Sequence, residues 1–203
     1  MIAIIDYGLG NVKAFANVYK RLNLPILIAK EARDLENATK IILPGVGAFD
    51  YAMTLLNQSG MREKLEQLVL EKEIPVLGIC VGMQILANSS EEGHLPGLGW
   101  IAGKVKKFQP EQIQHNPLPH MGWNSISPKS STGIFQNIEA DSRFYFLHSY
   151  YFASDEASEA IATANYDSTF TCSVNKKNIY GVQFHPEKSH QAGIQLLKNF
   201  GAL

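Results

Sequence analysis

Short apolar runs alternate with amphipathic stretches through the first half of the chain. Such runs between polar or turn residues are typical of buried parallel strands, and apolar residues three and four positions apart are typical of helices. The pattern predicts strands at 2–5, 25–28, 40–43 and 76–79. It predicts helices at 12–22, with Asn11 as N-cap, at 48–56, at 61–71 and, after residue 80, through residue 87. Because strands and helices alternate, we expect an α/β fold, with a mostly parallel central sheet flanked by helices on both faces.

The second half of the chain favours antiparallel strands, because apolar and polar residues there often alternate with a period of two. It predicts strands through 105, at 143–150, 161–166 and 170–174, and at 179–184 after a hairpin turn at 175–178. It also predicts a surface loop at 109–118, a turn-like stretch at 119–124 and a last helix from 189 or 190 to 200. We expect an antiparallel extension of the sheet and a single domain over 1–203.

Cys80 stands where the fourth predicted strand meets the next helix, with Gly78 and Gly82 two positions away on either side. A tight turn between strand and helix needs small neighbours, and it exposes the side chain at its apex beside the helix N-terminus. The partial positive charge and free N–H groups there favour a thiolate, which is the reactive form of cysteine. The alternative is an inert thiol that packs as a small apolar group. The two glycines favour a nucleophile.

A nucleophilic thiol needs a base, and the base needs a group that orients it. The sequence Gly-Val-Gln-Phe-His-Pro-Glu at 181–187 supplies both. A strand that ends in His-X-Glu places both side chains on one face, so that Glu187 can hold the imidazole while His185 faces Cys80. Pro186 between them fixes φ and removes a competing donor. We therefore predict that Cys80, His185 and Glu187 act together.

Composition narrows the setting in which such a thiol would act. The net charge is −1, so nothing indicates nucleic acid or an anionic membrane as a partner. The two cysteines form no disulfide framework, and Cys172 falls at an inward position of a strand, so we expect a reduced, cytoplasmic setting. The N-terminus is typical of a first strand rather than a signal peptide, and no apolar run is as long as a membrane span.

Cofactor motifs are weak in this sequence. The histidines have no metal-ligand spacing. Gly8 and Gly10 follow the first predicted strand, but Lys13 stands where a dinucleotide-binding loop would have its third glycine. We expect neither a metal nor another cofactor.

The segments Gly-Ile-Cys-Val-Gly-Met-Gln at 78–84 and His-Pro-Glu at 185–187 closely resemble the motifs of the class I, or triad, glutamine amidotransferases. The resemblance covers nearly the whole chain and implies a flavodoxin-like fold and glutamine hydrolysis by a Cys–His–Glu triad. The Pro-Gly-Val-Gly loop at 44–47 resembles the oxyanion loop of this family. It implies an oxyanion hole formed by backbone N–H groups of Val46 or Gly47 together with that of Val81.

The resemblance also implies residues that bind the substrate. In the family the glutamine at the position of Gln84 contacts the substrate, and Glu92 could pair with the substrate ammonium. His148 and Ser149 could line the same pocket at the polar end of the strand predicted at 143–150. A lone histidine at a strand end is, however, more often structural.

Four further segments resemble the glutaminase subunits of imidazole glycerol phosphate synthases: Tyr-Gly-Leu-Gly-Asn at 7–11, Pro-Gly-Val-Gly at 44–47, Pro-His-Met-Gly-Trp-Asn at 119–124, and Tyr145 followed by His-Ser-Tyr at 148–150. This implies a heterodimer with a (β/α)₈ cyclase subunit that uses the ammonia in histidine biosynthesis. It implies that Met121, Trp123, Tyr145 and Lys188 lie at or near the interface. From composition alone, Trp123 could equally anchor a loop on the core.

Three alternatives remain open at the level of sequence. The partner could be an anthranilate, aminodeoxychorismate or pyridoxal phosphate synthase, against which the 119–124 segment argues. The chain could be a non-catalytic regulatory scaffold, against which the intact set of Cys80, His185 and Glu187 argues. It could also be a cysteine peptidase or another thiol hydrolase, although Gln84 and the loop at 44–47 favour a small amide substrate.

Overall fold

The computed structural model describes residues 1–109, 111 and 113–203. The described strands, in chain order, are β1 (Ile2–Ile5), β2 (Ile26–Ala29), β3 (Lys40–Gly45), β4 (Val76–Cys80), β5 (Ser89–Ser90), β6 (Gly103–Lys107), β7 (His120–Ser125), β8 (Ser127–Pro128), β9 (Arg143–His148), β10 (Tyr150–Ser154), β11 (Ala160–Tyr166), β12 (Ser168–Lys176) and β13 (Ile179–Val182). The α-helices are α1 (Val12–Arg21), α2 (Phe49–Gln58), α3 (Arg62–Glu66), α4 (Val81–Gln84) and α5 (His190–Ala202). Short 3₁₀ turns lie at Ala32–Leu35, Gly133–Phe135 and Pro186–Lys188.

The main sheet has its strands in the order β2-β1-β3-β4-β13-β12-β11-β8. Neighbours are parallel from β2 to β13 and antiparallel from β13 to β8. The parallel part, β2-β1-β3-β4-β13, has the strand order of a flavodoxin-like doubly wound sheet. The predicted mostly parallel sheet with an antiparallel extension is therefore confirmed. Two smaller sheets accompany it, β10-β6-β5 and the two-stranded ribbon β7-β9.

Apolar side chains of the parallel strands fill the core beneath the flanking helices. Ile4, Ile42 and Leu77, one from each of the adjacent strands β1, β3 and β4, are fully buried. Burial of each such side chain stabilises the fold by about 1.5–3 kcal/mol. Helix α1 contacts α5, and α2 contacts α4. This arrangement explains why these strands read as continuous apolar runs rather than as alternating ones.

Helix α1 begins where the sequence predicts it to begin. The side-chain oxygen of Asn11 accepts a hydrogen bond from the backbone N–H of Ala14 at 3.2 Å, so Asn11 is the N-cap. Leu24 and the residues after it then lead into β2, which lies one residue beyond the predicted strand at 25–28.

Two of the predicted helices are shorter than expected. The helix predicted at 61–71 is α-helical only over α3, and Gln67–Glu71 forms a π-helical turn in which Lys72 N donates to Gln67 O at 3.1 Å. The helix after Cys80 ends at Gln84 instead of continuing through residue 87. The carbonyls of Ile85, Leu86 and Ala87 accept hydrogen bonds from residues 98, 101 and 99 instead, so tertiary contacts replace the last helical turns.

The turn-like reading of 119–124 is wrong. Residues 120–125 form β7, which pairs with β9 in antiparallel register. Gly122 and the proline before the strand suggested a turn, but pairing with β9 satisfies the backbone donors and acceptors of the segment. Of the surface loop predicted at 109–118, residues 110 and 112 lie outside the described residues, and 114–118 are exposed.

The register of the parallel strands brings three loops together at the carboxyl edge of the sheet. Gly45 at the end of β3 is paired with Cys80 at the end of β4, and Val182 at the end of β13 is paired with Ile79. Open α/β sheets place their ligand sites at this edge. Within the described residues, no helix is long and apolar enough to cross a membrane.

Candidate active site

Cys80 occupies a strained turn between β4 and α4. Its backbone has φ +56° and ψ −113°, which non-glycine residues rarely adopt. A Cβ atom at Gly82 would overlap the carbonyl oxygen of Leu43, and one at Gly78 would lie 2.8 Å from the carbonyl carbon of Gly82. Both glycines are therefore required for the close approach of β3, β4 and α4. The chain forms a nucleophile elbow with cysteine at its apex.

His185 lies against this elbow and is linked to Glu187. Its Nδ1 atom is 3.0 Å from Glu187 Oε1, and both side chains are almost fully buried. The imidazole lines the same cavity as Cys80 and is close enough to interact with its sulfur. Burial alone would lower the pKa of His185, but the hydrogen bonds to Cys80 and Glu187 and the charges of those groups raise it to about 10. The arrangement favours an imidazolium beside the sulfur.

The way in which the chain presents His185 and Glu187 differs from the prediction. Strand β13 ends at Val182, and Glu187 lies in the 3₁₀ turn Pro186–Lys188 rather than on a strand face. His185 itself makes an isolated bridge with Tyr145 of β9, where its N–H donates to the Tyr145 carbonyl at 2.8 Å. The turn, and not strand alternation, therefore brings the carboxylate back to the imidazole. Glu187 Oε2 is buried and has no hydrogen-bond partner among the described residues.

A cavity of about 310 Å³ opens over the sulfur of Cys80. The three residues predicted to form the oxyanion hole, Val46, Gly47 and Val81, all line it. Val46 and Gly47 are exposed in the loop after β3, and Gly47 has φ +92°, with no atom within 4 Å of a Cβ built on it. This loop has the conformational freedom and the space to turn a peptide N–H toward the cavity.

The four residues predicted to bind substrate also line this cavity: Gln84, Glu92, His148 and Ser149. Glu92 Oε2 accepts a hydrogen bond at 2.8 Å from the N–H of Phe49, the first residue of α2. Both nitrogens of His148 are used within the protein, Nδ1 by the Tyr150 carbonyl at 2.8 Å and Nε2 by His120 Nδ1 at 2.9 Å. The His148 side chain therefore offers no free donor or acceptor to a ligand.

Three of the predicted partner-facing residues, Met121, Trp123 and Tyr145, lie beside the cavity on the β7-β9 ribbon, and Lys188 lies in the 3₁₀ turn next to it. Met121 pairs with Leu147 and Trp123 with Tyr145, so that these four side chains share one face of the ribbon. Met121, Trp123 and Leu147 are 64%, 43% and 40% exposed. Leu147 and Lys188 line the cavity, and the Lys188 ammonium lies 5.5 Å from the centre of the Tyr145 ring. An exposed apolar face therefore adjoins the mouth of the cavity.

Sequence reasoning missed two buried polar residues of this region, Gln183 and His120. Gln183 is fully buried, and its Nε2 atom lies 3.8 Å from Cys80 Sγ. Its signal in the sequence is one polar residue inside the apolar stretch 179–184. His120 was also missed, because nothing in the sequence shows that β7 and β9 pair. Among the described residues, no group of three His, Cys, Asp or Glu side chains is arranged to hold a metal ion.

Cys172, the second cysteine, lies far inside the sheet on β12. It is fully buried, and burial raises the pKa of its thiol well above the usual range. It is free rather than disulfide-bonded, as is Cys80. Its surroundings keep it a neutral thiol, which fits a packing role.

A strand order of this kind with a cysteine elbow, a His–Glu pair and a small cavity at the carboxyl edge defines a class of enzyme. The family model for class-I glutamine amidotransferases matches residues 3–202. The crystal structure of a glutamine amidotransferase superposes with a TM-score of 0.75 at 16% identity, over 100% of this chain and 99% of that chain. The chain belongs to the class I glutamine amidotransferase family.

Two relatives identify the branch of that class. The imidazole glycerol phosphate synthase subunit HisH of Bdellovibrio bacteriovorus is 58% identical over 100% of both chains. The protein of the same name from Leptospira interrogans is 54% identical over 100% of both chains. Within the class, this chain is therefore a member of the HisH subunit family.

Proposed function

We propose that this chain is the glutaminase subunit of an imidazole glycerol phosphate synthase and hydrolyses L-glutamine to L-glutamate and ammonia. The observation that carries the proposal is that Cys80 and His185 line the same small cavity, with the imidazole of His185 held by Glu187 at 3.0 Å. Membership of the HisH family supports the pathway. A cavity of about 310 Å³ is at the lower end of ligand sites, and it suits an amino acid better than a peptide.

The reaction starts with attack of the Cys80 sulfur on the side-chain amide carbon of glutamine. The C–S bond forms as the carbonyl π electrons move onto oxygen, and N–H groups of Val46 or Gly47 and of Val81 stabilise that oxyanion. His185, protonated because its pKa is raised to about 10, gives its proton to the amide nitrogen. The C–N bond then breaks, and ammonia leaves a glutamyl thioester on Cys80.

Hydrolysis of the thioester uses the same residues in the reverse sense. Neutral His185 takes a proton from water, and the hydroxide equivalent attacks the thioester carbon. Collapse of the second tetrahedral intermediate breaks the C–S bond, releases glutamate and restores the thiolate. Glu187 stabilises the imidazolium that forms in each half of the cycle, through its 3.0 Å contact with Nδ1.

Substrate recognition is assigned to the polar groups around the cavity. Gln84 and the Glu92 carboxylate face it, and the carboxylate has the charge required to pair with the α-ammonium of glutamine. Because the imidazole nitrogens of His148 are already used, His148 contributes through its main chain, and Ser149 lines the cavity beside it.

The product ammonia has to reach a second active site without being protonated in bulk water. We propose that a (β/α)₈ cyclase subunit covers the exposed face formed by Met121, Trp123, Tyr145 and Leu147, with Lys188 at its margin. That subunit would use the ammonia to form imidazole glycerol phosphate and an aminoimidazole carboxamide ribonucleotide. Large exposed aromatic side chains are typical of interface hot spots. In this proposal residues 1–203 act as a single domain in a cytoplasmic heterodimer.

The test is glutamine hydrolysis by the full chain, alone and with a cyclase subunit plus its nucleotide ligand. The expected result is weak turnover alone and strong activation when both are present. Cys80→Ala should abolish turnover in every condition, and a glutamine analogue that alkylates thiols should label Cys80 in the parent protein. Failure of the reduced parent protein to hydrolyse glutamine under all conditions, or turnover by Cys80→Ala, would overturn the assignment.

A further inference from the structure

Gln183 is a polar neighbour of the nucleophile in addition to His185. It lies between β13 and His185, is fully buried, and places Nε2 3.8 Å from Cys80 Sγ. A buried carboxamide requires hydrogen-bond partners for both of its ends. Whether the nitrogen or the oxygen of the Gln183 amide faces the sulfur therefore depends on the hydrogen-bond partner at the other end of that amide.

A backbone carbonyl fixes that orientation. The Tyr150 carbonyl can only accept, so the Gln84 atom 3.1 Å from it must be the amide nitrogen Nε2. The same nitrogen is 3.1 Å from Gln183, so the Gln183 atom at that position must be the oxygen Oε1. The other end of the Gln183 amide, which faces Cys80 Sγ, is then an N–H donor. Reversal of either amide would bring two donors or two acceptors together.

The same carbonyl is held from its other side. It accepts from His148 Nδ1 at 2.8 Å, so Nε2 of this neutral ring accepts from His120 Nδ1 at 2.9 Å. His120 Nε2 then accepts from Asn124 Nδ2 at 3.3 Å, and Asn124 Nδ2 also donates to the Asn165 carbonyl at 2.7 Å. The donors and acceptors from Asn124 on the ribbon to the Tyr150 carbonyl are therefore consistent with a single assignment. These hydrogen bonds hold the Tyr150 carbonyl in its orientation.

An N–H donor at the sulfur distinguishes the thiolate from the thiol. A thiol can donate to the Leu147 carbonyl, 3.9 Å from Cys80 Sγ, but a thiolate can only accept and is repelled by that carbonyl oxygen. The Gln183 N–H is attracted to the anion more strongly than to the neutral thiol. The Gln183 N–H therefore stabilises the thiolate, which is the reactive form of Cys80, more than it stabilises the thiol.

We propose that Gln183 is a further catalytic residue, whose amide N–H stabilises the Cys80 thiolate and whose orientation is set by Gln84 and the Tyr150 carbonyl. Gln84 accordingly has a positioning role beside the substrate-binding role assigned above. The inference rests on the proposed function only in taking Cys80 as the nucleophile. Loss of the donor should make the thiolate harder to form and easier to protonate.

The test is Gln183→Met in the full chain, because Met has a similar length and volume but no N–H donor. The rate of alkylation by iodoacetamide is followed against pH, with mass spectrometry of the Cys80 peptide. We expect the midpoint of the profile to rise by about one pH unit, and kcat with the cyclase subunit to fall about tenfold while KM changes less than about threefold. The matched control is Gln195→Met on α5, where the glutamine contacts Asn199 instead of the site.

The other titratable groups near the sulfur are the same in Gln183→Met and in the control Gln195→Met. They therefore do not account for a difference between the alkylation profiles of these two variants. They are Tyr7, whose pKa is raised by burial and by the charge of Cys80, Glu187, which holds His185, and His185, Glu92, Lys188 and His148, which line the cavity. An unchanged alkylation profile in a folded Gln183→Met protein would overturn the inference.

A second variant keeps the test decisive if Gln183→Met does not fold. Gln84→Met removes the donor to Gln183 Oε1, so the Gln183 amide is free to rotate, and the alkylation midpoint should rise by a smaller amount in the same direction. No rise would count against the inference. The alkylation profile needs no glutamine turnover, so failure of the proposed function, seen as an inactive parent protein, is distinguishable from failure of the inference.

Discussion

Cys80 owes its position to a strained backbone held between neighbours that have no side chains. Its φ of +56° is tolerated because β3, β4 and α4 meet there with Gly78 and Gly82 at the points of closest approach. The same packing places the sulfur 3.8 Å from Gln183 Nε2, in a cavity that His185 also lines. At the scale of single residues, the site therefore depends on absent Cβ atoms as much as on functional groups.

Gly82→Ala tests this dependence. The new Cβ would overlap the backbone carbonyl of Leu43, which cannot move without shifting β3, so we expect the free energy of unfolding to fall by about 2–3 kcal/mol. Gly60→Ala is the comparison, because Gly60 has φ +72° but open space around it, and it should cost only about 1 kcal/mol. Urea denaturation of both variants measures the difference. Equal losses would mean that the close approach at Gly82 costs no more than the left-handed backbone conformation at Gly60.

Glu187→Gln separates the charge of the carboxylate from its shape. The amide keeps an acceptor within reach of His185 Nδ1 but has no negative charge, so the pKa of His185 should fall from about 10. We expect kcat for glutamine hydrolysis to fall about 10–100-fold with a smaller change in KM, because the imidazolium is needed after binding. The pH–rate profiles of the two proteins provide the measurement. A decrease confined to KM would contradict a role in proton transfer.

The β7-β9 ribbon separates two functions across its two faces. Its outward face exposes Met121 and Trp123, whereas its inward face buries His120 opposite His148. His120 stacks on Phe146 and Tyr166, with ring centres 4.6 and 4.0 Å apart. Strand alternation thus connects a surface to a buried polar pair within one element.

The buried histidines predict a loss of stability in acid. Burial lowers the pKa of His120 to about 4 and that of His148 to about 3, from an ordinary value of 6.5, and repulsion between the two rings adds to the effect on His148. As pH falls below 6.5, the unfolded chain binds protons that the folded chain does not, so the free energy of unfolding must fall. We expect this decrease between about pH 6.5 and 4 for both histidines, and down to about pH 3 for His148.

The variant His120→Phe separates the effect of the buried histidines on stability in acid from the effect of the carboxylates. The variant keeps the stacking contacts, but it leaves His148 Nε2 without a donor, so at neutral pH it should lose about 1–3 kcal/mol. The free energy of unfolding of this variant should change less steeply with pH, because unfolding takes up one proton fewer. The slope should be smaller by about 1.4 kcal/mol per pH unit. His94→Ala, at an exposed histidine, should keep the original slope. Denaturation at several pH values measures both, and identical slopes in all three proteins would exclude the buried pair as the cause.

The whole molecule presents its cavity and its exposed apolar face on the same side. Leu147 belongs to both, because it lines the cavity and is 40% exposed on the ribbon. Lys188 links them as well, since it follows Glu187 directly and lies over the Tyr145 ring. A partner on this face would therefore contact elements that hold the residues of the proposed triad.

Trp123→Ala tests the importance of this face for the assembly. The ring is 43% exposed and stacks on His190 at 4.9 Å, so its loss should change the melting temperature little. We expect affinity for the cyclase subunit to fall about 10–100-fold, as for an aromatic hot spot, with partner-dependent glutaminase activity reduced accordingly. Tyr51→Ala on α2, where the side chain is 56% exposed outside the ribbon, is the control. Unchanged affinity in a titration of the two subunits would place the interface elsewhere.

The sequence by itself determined the parallel sheet and the tight turn that holds Cys80. Strands β1, β3 and β4 are buried on both faces, so their sequences are continuous apolar runs. The glycines around Cys80 are a local requirement of the tight turn between strand and helix. The length of the helix after Cys80 and the 3₁₀ turn at Glu187 could not be predicted, because contacts with residues far along the chain decide both. The pairing of β7 with β9 was missed for the same reason.

Only the tertiary structure decided which groups surround the sulfur. Gln183 is 103 positions from Cys80, and the orientation of its amide depends on a backbone carbonyl that carries no sequence signal. His148 shows the opposite case, since a histidine at a strand end reads as a possible ligand-binding group until its two partners are seen. Local sequence encodes backbone conformation and burial, whereas the direction of a hydrogen bond is set by whichever group the fold brings to the other end.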